Sequence, residues 1–433
     1  MRILITGTTG DAMPPPYGGV PKVSLLYARA WREMGHQVAV TFVYRPEHAD
    51  DHGAEAEYFF EYGSKPNKFK KALFLLKYFL KNPPLYLYLL RSYYALYPHL
   101  TTETVLYAAY GVQMDGVLEA FKPEVIMSQG VLIKTFMVSK LAQRRGIPIT
   151  YVTYVEIFDQ NMGVNKHLSD AQQVKYWTSF LEMADFVITI SRSPKGVLRY
   201  LPKERIKVFY DTCDFSAYQQ PIHESKQELR AELGLPAEMF LCGMVGAFHY
   251  RKGHHHLIQA LGLLKKQGYT IGAAICGGTR NFEEDVAKWR SLAKEQGVAE
   301  QVFFFANFGE AQLRRLHKSI DLYCNLSHST RSCGLDLALL EAMASGLPVV
   351  VYDNAELSDA VPEEKNGYLI KTGDIEAVAG AILKMYQKTP EELAHMGAIS
   401  KALTAKTDIH ETAKIHIDWF NELLRATARK MNV

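Results

Sequence analysis

Long apolar runs are missing from this 433-residue chain, and none approaches the roughly 20 residues that a bilayer-spanning helix needs. Paired cysteines are missing too. Cys213, Cys242, Cys276, Cys324 and Cys333 form no CxxC pair and no zinc-type spacing, which excludes a disulfide framework and a zinc ribbon. Cys242, Cys276 and Cys324 fall in apolar, strand-like runs, where a free thiol acts as a small hydrophobe and fits a reducing cytoplasm. Charge of one sign is scarce. The 49 Lys and Arg against 46 Asp and Glu leave +3, which makes no case for nucleic acid as a partner. The opening Met1-Arg2-Ile3-Leu4-Ile5-Thr6 is too short and strand-like for a signal peptide.

What remains is an ordinary globular composition, 48% hydrophobic and 22% charged, in a chain long enough for two domains with their own cores. Strand-like segments alternate with helical periodicity. A strand at 3–5 leads through a glycine- and proline-rich loop, 7–19, to a helix and a second strand at 38–43; others fall at 125–127, 149–153 and 186–190. After a polar break around 216–225 the pattern restarts, with strands at 240–245, 270–275, 302–305, 322–325 and 349–351. Such alternation predicts parallel sheets covered on both faces. The expected fold class is α/β: two Rossmann-like, doubly wound parallel-sheet domains with an interdomain cleft, residues 1–205 and 206–407, followed by a helix in 408–433. Ile409, Ala413, Ile417, Phe420 and Leu424 form that helix's stripe. Ligands of such sheets sit beyond the carboxyl ends of the strands.

The stretch Cys333-Gly334-Leu335-Asp336-Leu337-Ala338-Leu339-Leu340-Glu341, continuing to Ser345-Gly346-Leu347-Pro348, is the most informative. It reads as a loop, a helix start, an apolar helix stopped by Gly346 and Pro348, and a buried strand. Glu341 is a carboxylate in an otherwise apolar helix. It is either a solvated acid or a buried group that serves a ligand or a network, since burial without a partner is costly. Two glycine loops also open helices: Pro14-Pro15-Pro16-Tyr17-Gly18-Gly19-Val20, and a second from Gly243 through Gly246 to Arg251-Lys252-Gly253. Amides at helix starts and the helix dipole favour an anion there.

The wording of the Cys333 to Glu341 stretch closely resembles the donor-site helix of retaining nucleotide-sugar glycosyltransferases with the GT-B fold, glycosyltransferase family 4 (the group 1 glycosyl transferases). Gly18-Gly19, followed by Gly35-His36 and a valine-rich strand, matches that family's opening pattern. The resemblance implies that Glu341 binds the ribose hydroxyls of the donor and that Lys252 neutralises its diphosphate. It places Gly18, Gly19, Gly246 and Arg251 against the donor, and has Cys333, Gly334, Leu335, Asp336 and Leu337 present helix-start amides to phosphates and sugar. It also implies that the closing helix crosses back onto the first domain.

Three positions depart from the family pattern. Ala247 stands where an arginine is usual, with Arg251 as a candidate substitute. Cys333 stands where a glutamate normally faces the transferred sugar. The segment 151–159 lacks the usual histidine, leaving Tyr154 and Glu156 nearest. Losing a charged acceptor for sugar hydroxyls costs about 1.5–3 kcal/mol, which alters sugar preference or activity. Asp336 either replaces that acceptor in part or favours the helix start. The catalytic candidates are Lys252, to meet developing charge; Tyr154, to hydrogen-bond a hydroxyl or simply to pack at a strand end; and Glu156, as a base.

The scheme implies no metal and no cofactor, the UDP- or GDP-linked sugar being a substrate, and the chain has no DxD motif. Adjacent residues cannot all face one ion, so His254-His255-His256 is expected to be surface helix, not a ligand set. Between the second and third strands, segment 64–100 sets Phe69, Leu73, Leu76 and Leu80 at helical spacing, with Lys70, Lys77 and Lys81 on another side, then Tyr86, Tyr88, Tyr93, Tyr94 and Tyr97. It reads as a helical pair covering the sheet or as a surface for an anionic membrane. Together these features imply a retaining glycosyltransferase of the cytoplasm or the inner membrane face. It would move a sugar from a nucleotide-sugar donor to a glycan, lipid-linked or small-molecule acceptor. The alternative is a catalytically silent sugar-nucleotide-binding subunit that supports a partner transferase; a phosphorylase or epimerase on the same fold is a third reading.

Overall fold

The structure is a computed structural model of the chain that describes all residues except 8–18, 43–53, 60–67, 98–100, 131–132, 154–168, 191–195, 210–211, 280, 329–335, 355–356 and 432–433. It comprises two compact units, Met1–Tyr210 with Thr412–Val433, and Asp211–Glu411.

In the first unit, β1 (Arg2–Thr6), β2 (Gln37–Phe42), β3 (Ala56–Phe59), β4 (Val125–Gln129), β5 (Ile149–Thr153), β6 (Phe186–Thr189) and β7 (Ile206–Val208) form one parallel sheet. Its order is β3-β2-β1-β4-β5-β6-β7. In the second unit, β8 (Phe240–Val245), β9 (Ile271–Gly277), β10 (Val302–Ala306), β11 (Leu322–Asn325), β12 (Val349–Asp353) and β13 (Gly367–Lys371) form a parallel sheet ordered β10-β9-β8-β11-β12-β13. Both are doubly wound. The order reverses between β1 and β4 in the first sheet and between β8 and β11 in the second, and a sheet of this type opens its binding crevice at that reversal.

The central strands are apolar on both faces because helices cover both. Ile3, Leu4 and Ile5, and Val349, Val350 and Val351, are fully buried. Helix starts are set locally: Ser225 with Glu228 and Thr389 with Glu392 form capping boxes on helices Lys226–Glu232 and Pro390–Thr404. The closing helix Ile409–Met431 packs Phe420 edge-on to Trp31 of helix Gly19–Glu33, and the Trp31 indole donates to the Ala413 carbonyl at 3.0 Å.

The lysine-rich segment differs from the expectation in place and in facing. β3 precedes it, so it follows the third strand. Helix Lys68–Lys81 turns Phe74 and Tyr78 inward and leaves Phe69, Leu73, Leu76 and Leu80 between 50% and 69% exposed. The stripe read from the spacing is therefore the outward one. No helix among the described residues is long and apolar enough to cross a membrane.

Candidate functional site

β8 ends at Val245, and the chain then runs through Gly246 and a single turn, Tyr250–Lys252, to Gly253, which opens helix His254–Lys266. Gly253 has φ +81°, and a Cβ there would stand 2.1 Å from the Leu326 carbonyl oxygen. Left-handed backbone and direct overlap both forbid a side chain. Gly253→Ala is thus expected to destabilise the protein by more than the about 1–2 kcal/mol of left-handed strain alone, read as a lower denaturation midpoint.

The same turn is tied to the loop after β11. The Arg251 carbonyl accepts from the His328 N–H at 3.1 Å and from the Ser327 hydroxyl at 3.4 Å. The loops on either side of the β8/β11 reversal are thereby held as one surface. Across it, the Lys252 ammonium meets Asp336 at 2.5 Å. The lysine stem runs beside Gly246, 3.4 Å from where a Cβ would sit.

Asp336 has a second task. It caps helix Leu337–Ala344, accepting from the Ala338 N–H at 3.2 Å. Burial by itself would raise its carboxyl; the Lys252 charge and hydrogen bond, with the Ala338 amide, outweigh burial and hold it below its ordinary value. The stability this provides is present above the unfolded carboxyl value and is lost as pH falls through the depressed one. Of the two roles expected for Asp336, sugar acceptor and helix-start residue, the cap is observed, and the pairing with Lys252 is an addition that the sequence does not show.

One turn further, Glu341 is 3% exposed, so it is the buried acid of the two alternatives. Its charge adds to burial in raising the Tyr218 hydroxyl and the Cys213 thiol. Tyr323 feels both acids: burial, then Asp336 and more weakly Glu341, push its phenol up. The helix stops as the glycine predicts, with Gly346 at φ +82° and Leu347 N–H returning to the Ala342 carbonyl at 3.2 Å. At the opposite end of the sheet Asp321 accepts from Arg230 at 2.8 Å and from the Leu241 N–H at 2.7 Å. That acid braces the amino ends of β8 and β11, far along the strands from the loops that carry Lys252.

The histidine run corrects the expectation of a surface helix. His254 is fully buried and His255 is 6% exposed. Their helix begins beneath the Tyr250–Lys252 turn and against Trp289, so its first side chains enter the interior; the His254 ring lies 5.6 Å from Phe248 and 5.7 Å from Trp289. Beyond β9 and β10, the Asn307 amide clasps Thr279, accepting its N–H and donating to its carbonyl, both at 2.9 Å. Asn307 takes a left-handed φ of +55° to do so.

Of the residues singled out from the sequence, Gly246, Lys252, Asp336, Leu337 and Glu341 come together in the second unit. Arg251 enters through its carbonyl while its side chain is exposed. Gly18, Tyr154, Glu156, Cys333, Gly334 and Leu335 lie outside the described residues. In the first unit Gly19 begins its helix with no described atom within 4 Å of a built Cβ. Sequence reasoning missed Lys134, in the first turn of helix Ile133–Arg145 after β4. It is 4% exposed, and burial brings its ammonium down to about 7. A lysine so placed at a sheet reversal is a functional candidate. Its signal in the sequence is a cation four positions after Gly130.

Comparison with known proteins adds to this geometry. Residues 225–402 match the family profile described as "Glycosyl transferases group 1". Over 224 residues the chain is 28% identical to a D-inositol 3-phosphate glycosyltransferase of Corynebacterium urealyticum, 51% of this chain and 52% of that protein. It is 28% identical over 236 residues to a GDP-mannose-dependent alpha-(1-6)-phosphatidylinositol monomannoside mannosyltransferase of Mycolicibacterium smegmatis, 50% and 57% of the two chains. The chain spans about half the length of the relatives it matches. Sucrose-phosphate synthase from Thermosynechococcus elongatus superposes with a TM-score of 0.72 at 17% identity, over 98% of this chain and 99% of that one. Anabaena Alr3699/HepE, solved in complex with UDP, does so with a TM-score of 0.69 at 18% identity, over 98% and 100%. These likenesses show the fold: two Rossmann-like domains of the GT-B architecture.

Proposed function

Because the chain resembles the group 1 glycosyl transferases and has the GT-B architecture, we propose that it transfers a sugar from a nucleotide-sugar donor to a hydroxyl acceptor with retention at the anomeric carbon. The observation that carries this reading is the Lys252–Asp336 pair at the β8/β11 reversal, where a doubly wound sheet presents its ligand site. In this reading the acceptor oxygen bonds to the anomeric carbon on the face that the diphosphate leaves, as the bond from that carbon to the diphosphate oxygen breaks, so the configuration is kept. The acceptor proton goes to a base, for which Glu156 is the candidate. Lys252 and the first amides of helix Leu337–Ala344 meet the negative charge that develops on the departing diphosphate, without a metal at that position. Glu341 takes the ribose hydroxyls, and the loop ordered by Asn307 borders the base. The donor is UDP- or GDP-linked, in keeping with the UDP bound to Alr3699/HepE and the GDP-mannose dependence of the mycobacterial relative.

Calorimetric titration with a panel of nucleoside diphosphates and nucleotide sugars tests this directly. Micromolar affinity for one nucleotide is expected, and no binding across the panel would overturn it. Transfer or hydrolysis of the bound donor then separates an enzyme from a silent binding subunit.

The acceptor side of the proposal includes a membrane. Helix Lys68–Lys81 carries five lysines and no acid, and its exposed face holds Phe69, Leu73, Leu76 and Leu80. An apolar stripe flanked by cations fits the interface of an anionic bilayer, where a lipid-linked acceptor resides. The protein is expected to co-sediment with phosphatidylglycerol-containing vesicles. Converting Leu73, Leu76 and Leu80 to serine should lower that partitioning by at least about tenfold, with the unfolding midpoint unchanged. A wild-type chain left in the supernatant rejects the membrane reading.

A further inference from the structure

Beneath the proposed donor site lies a cluster of imidazoles that the transfer reaction does not use. His255 and His256 come from the first turn of helix His254–Lys266, and His328 from the loop after β11. Each offers one ring nitrogen, and the three nitrogens lie within 4.8 Å of one another. His255 is 6% exposed, yet neither of its ring nitrogens has a hydrogen-bond partner, and Nδ1 of His328 has none either. Buried polar atoms are ordinarily satisfied, so a buried imidazole with two open nitrogens, facing two more imidazoles, points to a ligand.

We propose that His255, His256 and His328 form a binding site for a divalent transition metal ion. Three imidazoles with no carboxylate among them do not suit Ca²⁺ or Mg²⁺, which take oxygen ligands. They suit Zn²⁺, Ni²⁺ or Cu²⁺, and three protein ligands leave a position for water. Burial lowers all three, His255 to about 4, so each is neutral and has a lone pair near pH 7. Two nitrogens on a tetrahedral zinc stand about 3.3–3.4 Å apart, so ligation requires the widest pair to draw in by up to about 1.4 Å. The ring centroids, at 4.0, 5.6 and 5.3 Å, already crowd one another. An outer partner is also in place: the Tyr352 hydroxyl lies 2.8 Å from Nδ1 of His256 and can set which nitrogen carries the proton.

The exclusion made from sequence holds for three adjacent histidines, because His254 turns into the core. It fails for two of them joined by His328, which lies 72 positions beyond His256. The ion would join the start of helix His254–Lys266 to the loop after β11, next to the hydrogen bond by which His328 N–H already ties that loop to the Arg251 carbonyl in the preceding turn. It would staple the surface carrying Lys252 from below. The proposal does not depend on the transferase reading.

The test is zinc titration of the chelator-stripped full chain against a chromophoric chelator, with cobalt substitution to read the coordination by its visible bands. One equivalent per chain is expected. His255→Ala and His328→Gln should each weaken binding by at least about tenfold, and Tyr352→Phe by about 10- to 100-fold. The exposed His395→Ala serves as control and should bind as wild type. Should His255→Ala fail to fold, the part-exposed His328→Gln decides the matter, together with the zinc-induced rise in unfolding temperature that it should abolish. Less than one equivalent in the wild type, or undiminished binding by a folded His328→Gln, overturns the site.

Discussion

Lys252→Met is expected to raise the dissociation constant of the nucleoside diphosphate by about 10- to 150-fold, the equivalent of one charge-assisted hydrogen bond worth about 1.5–3 kcal/mol. Methionine keeps an unbranched stem beside Gly246 and removes only the charge, so packing is largely preserved. The companion Asp336→Asn should act in the opposite direction. Asparagine caps a helix as well as aspartate does, so helix Leu337–Ala344 keeps its start while Lys252 loses its internal counter-ion. Both partners are part-exposed, at 32% and 25%, and the competition relieved is correspondingly modest. Affinity should rise by up to about fivefold. Opposite signs at the two ends of one ion pair are the signature of a lysine shared between an internal acid and a ligand. A brace that merely joins two loops predicts something else: both variants lose stability in denaturant melts, and neither changes nucleotide affinity.

Why the sequence singles out Lys252 and Asp336 but not their pairing follows from distance along the chain. Lys252 and Glu341 stand inside local wordings, a glycine turn before a helix and an acid in an apolar helix. The Lys252–Asp336 contact spans 84 positions and exists because β8 and β11 are neighbours at the reversal. The His255, His256 and His328 cluster is hidden by the same topology. Strands show a parallel effect. Those at 240–245 and 349–351, and 322–325 up to its closing Asn325, are covered on both faces and read as apolar runs. The three overlooked strands, β3, β7 and β13, are each paired on one side only. Their words Ala-Glu-Tyr-Phe, Ile-Lys-Val and Gly-Tyr-Leu-Ile-Lys mix polar and apolar residues, as a sheet edge permits. The outward stripe of helix Lys68–Lys81 was legible as a stripe, but periodicity cannot say which side of a helix faces the core.

Glu341→Gln is expected to weaken nucleoside diphosphate binding by about 10- to 150-fold while leaving the affinity for inorganic pyrophosphate unchanged. The contrast is the point, because the proposed role of this acid is with the ribose and not with the phosphates. A carboxylate that is 3% exposed in an apolar helix bears a desolvation cost, and glutamine fills nearly the same volume without the charge. A second comparison isolates the hydroxyls themselves. The wild-type protein should bind a ribonucleoside diphosphate more tightly than its 2′-deoxy form, and Glu341→Gln should lose most of that discrimination, the coupling expected of two groups in contact. If Glu341 instead serves Tyr218 and Cys213, whose ionisation it opposes, the variant will shift the unfolding midpoint and keep full ribose discrimination. Tyr218→Phe should then reproduce the stability change. In the ribose-binding case that second variant is expected to leave the preference for the ribonucleotide in place, because the hydroxyl contact belongs to the carboxylate.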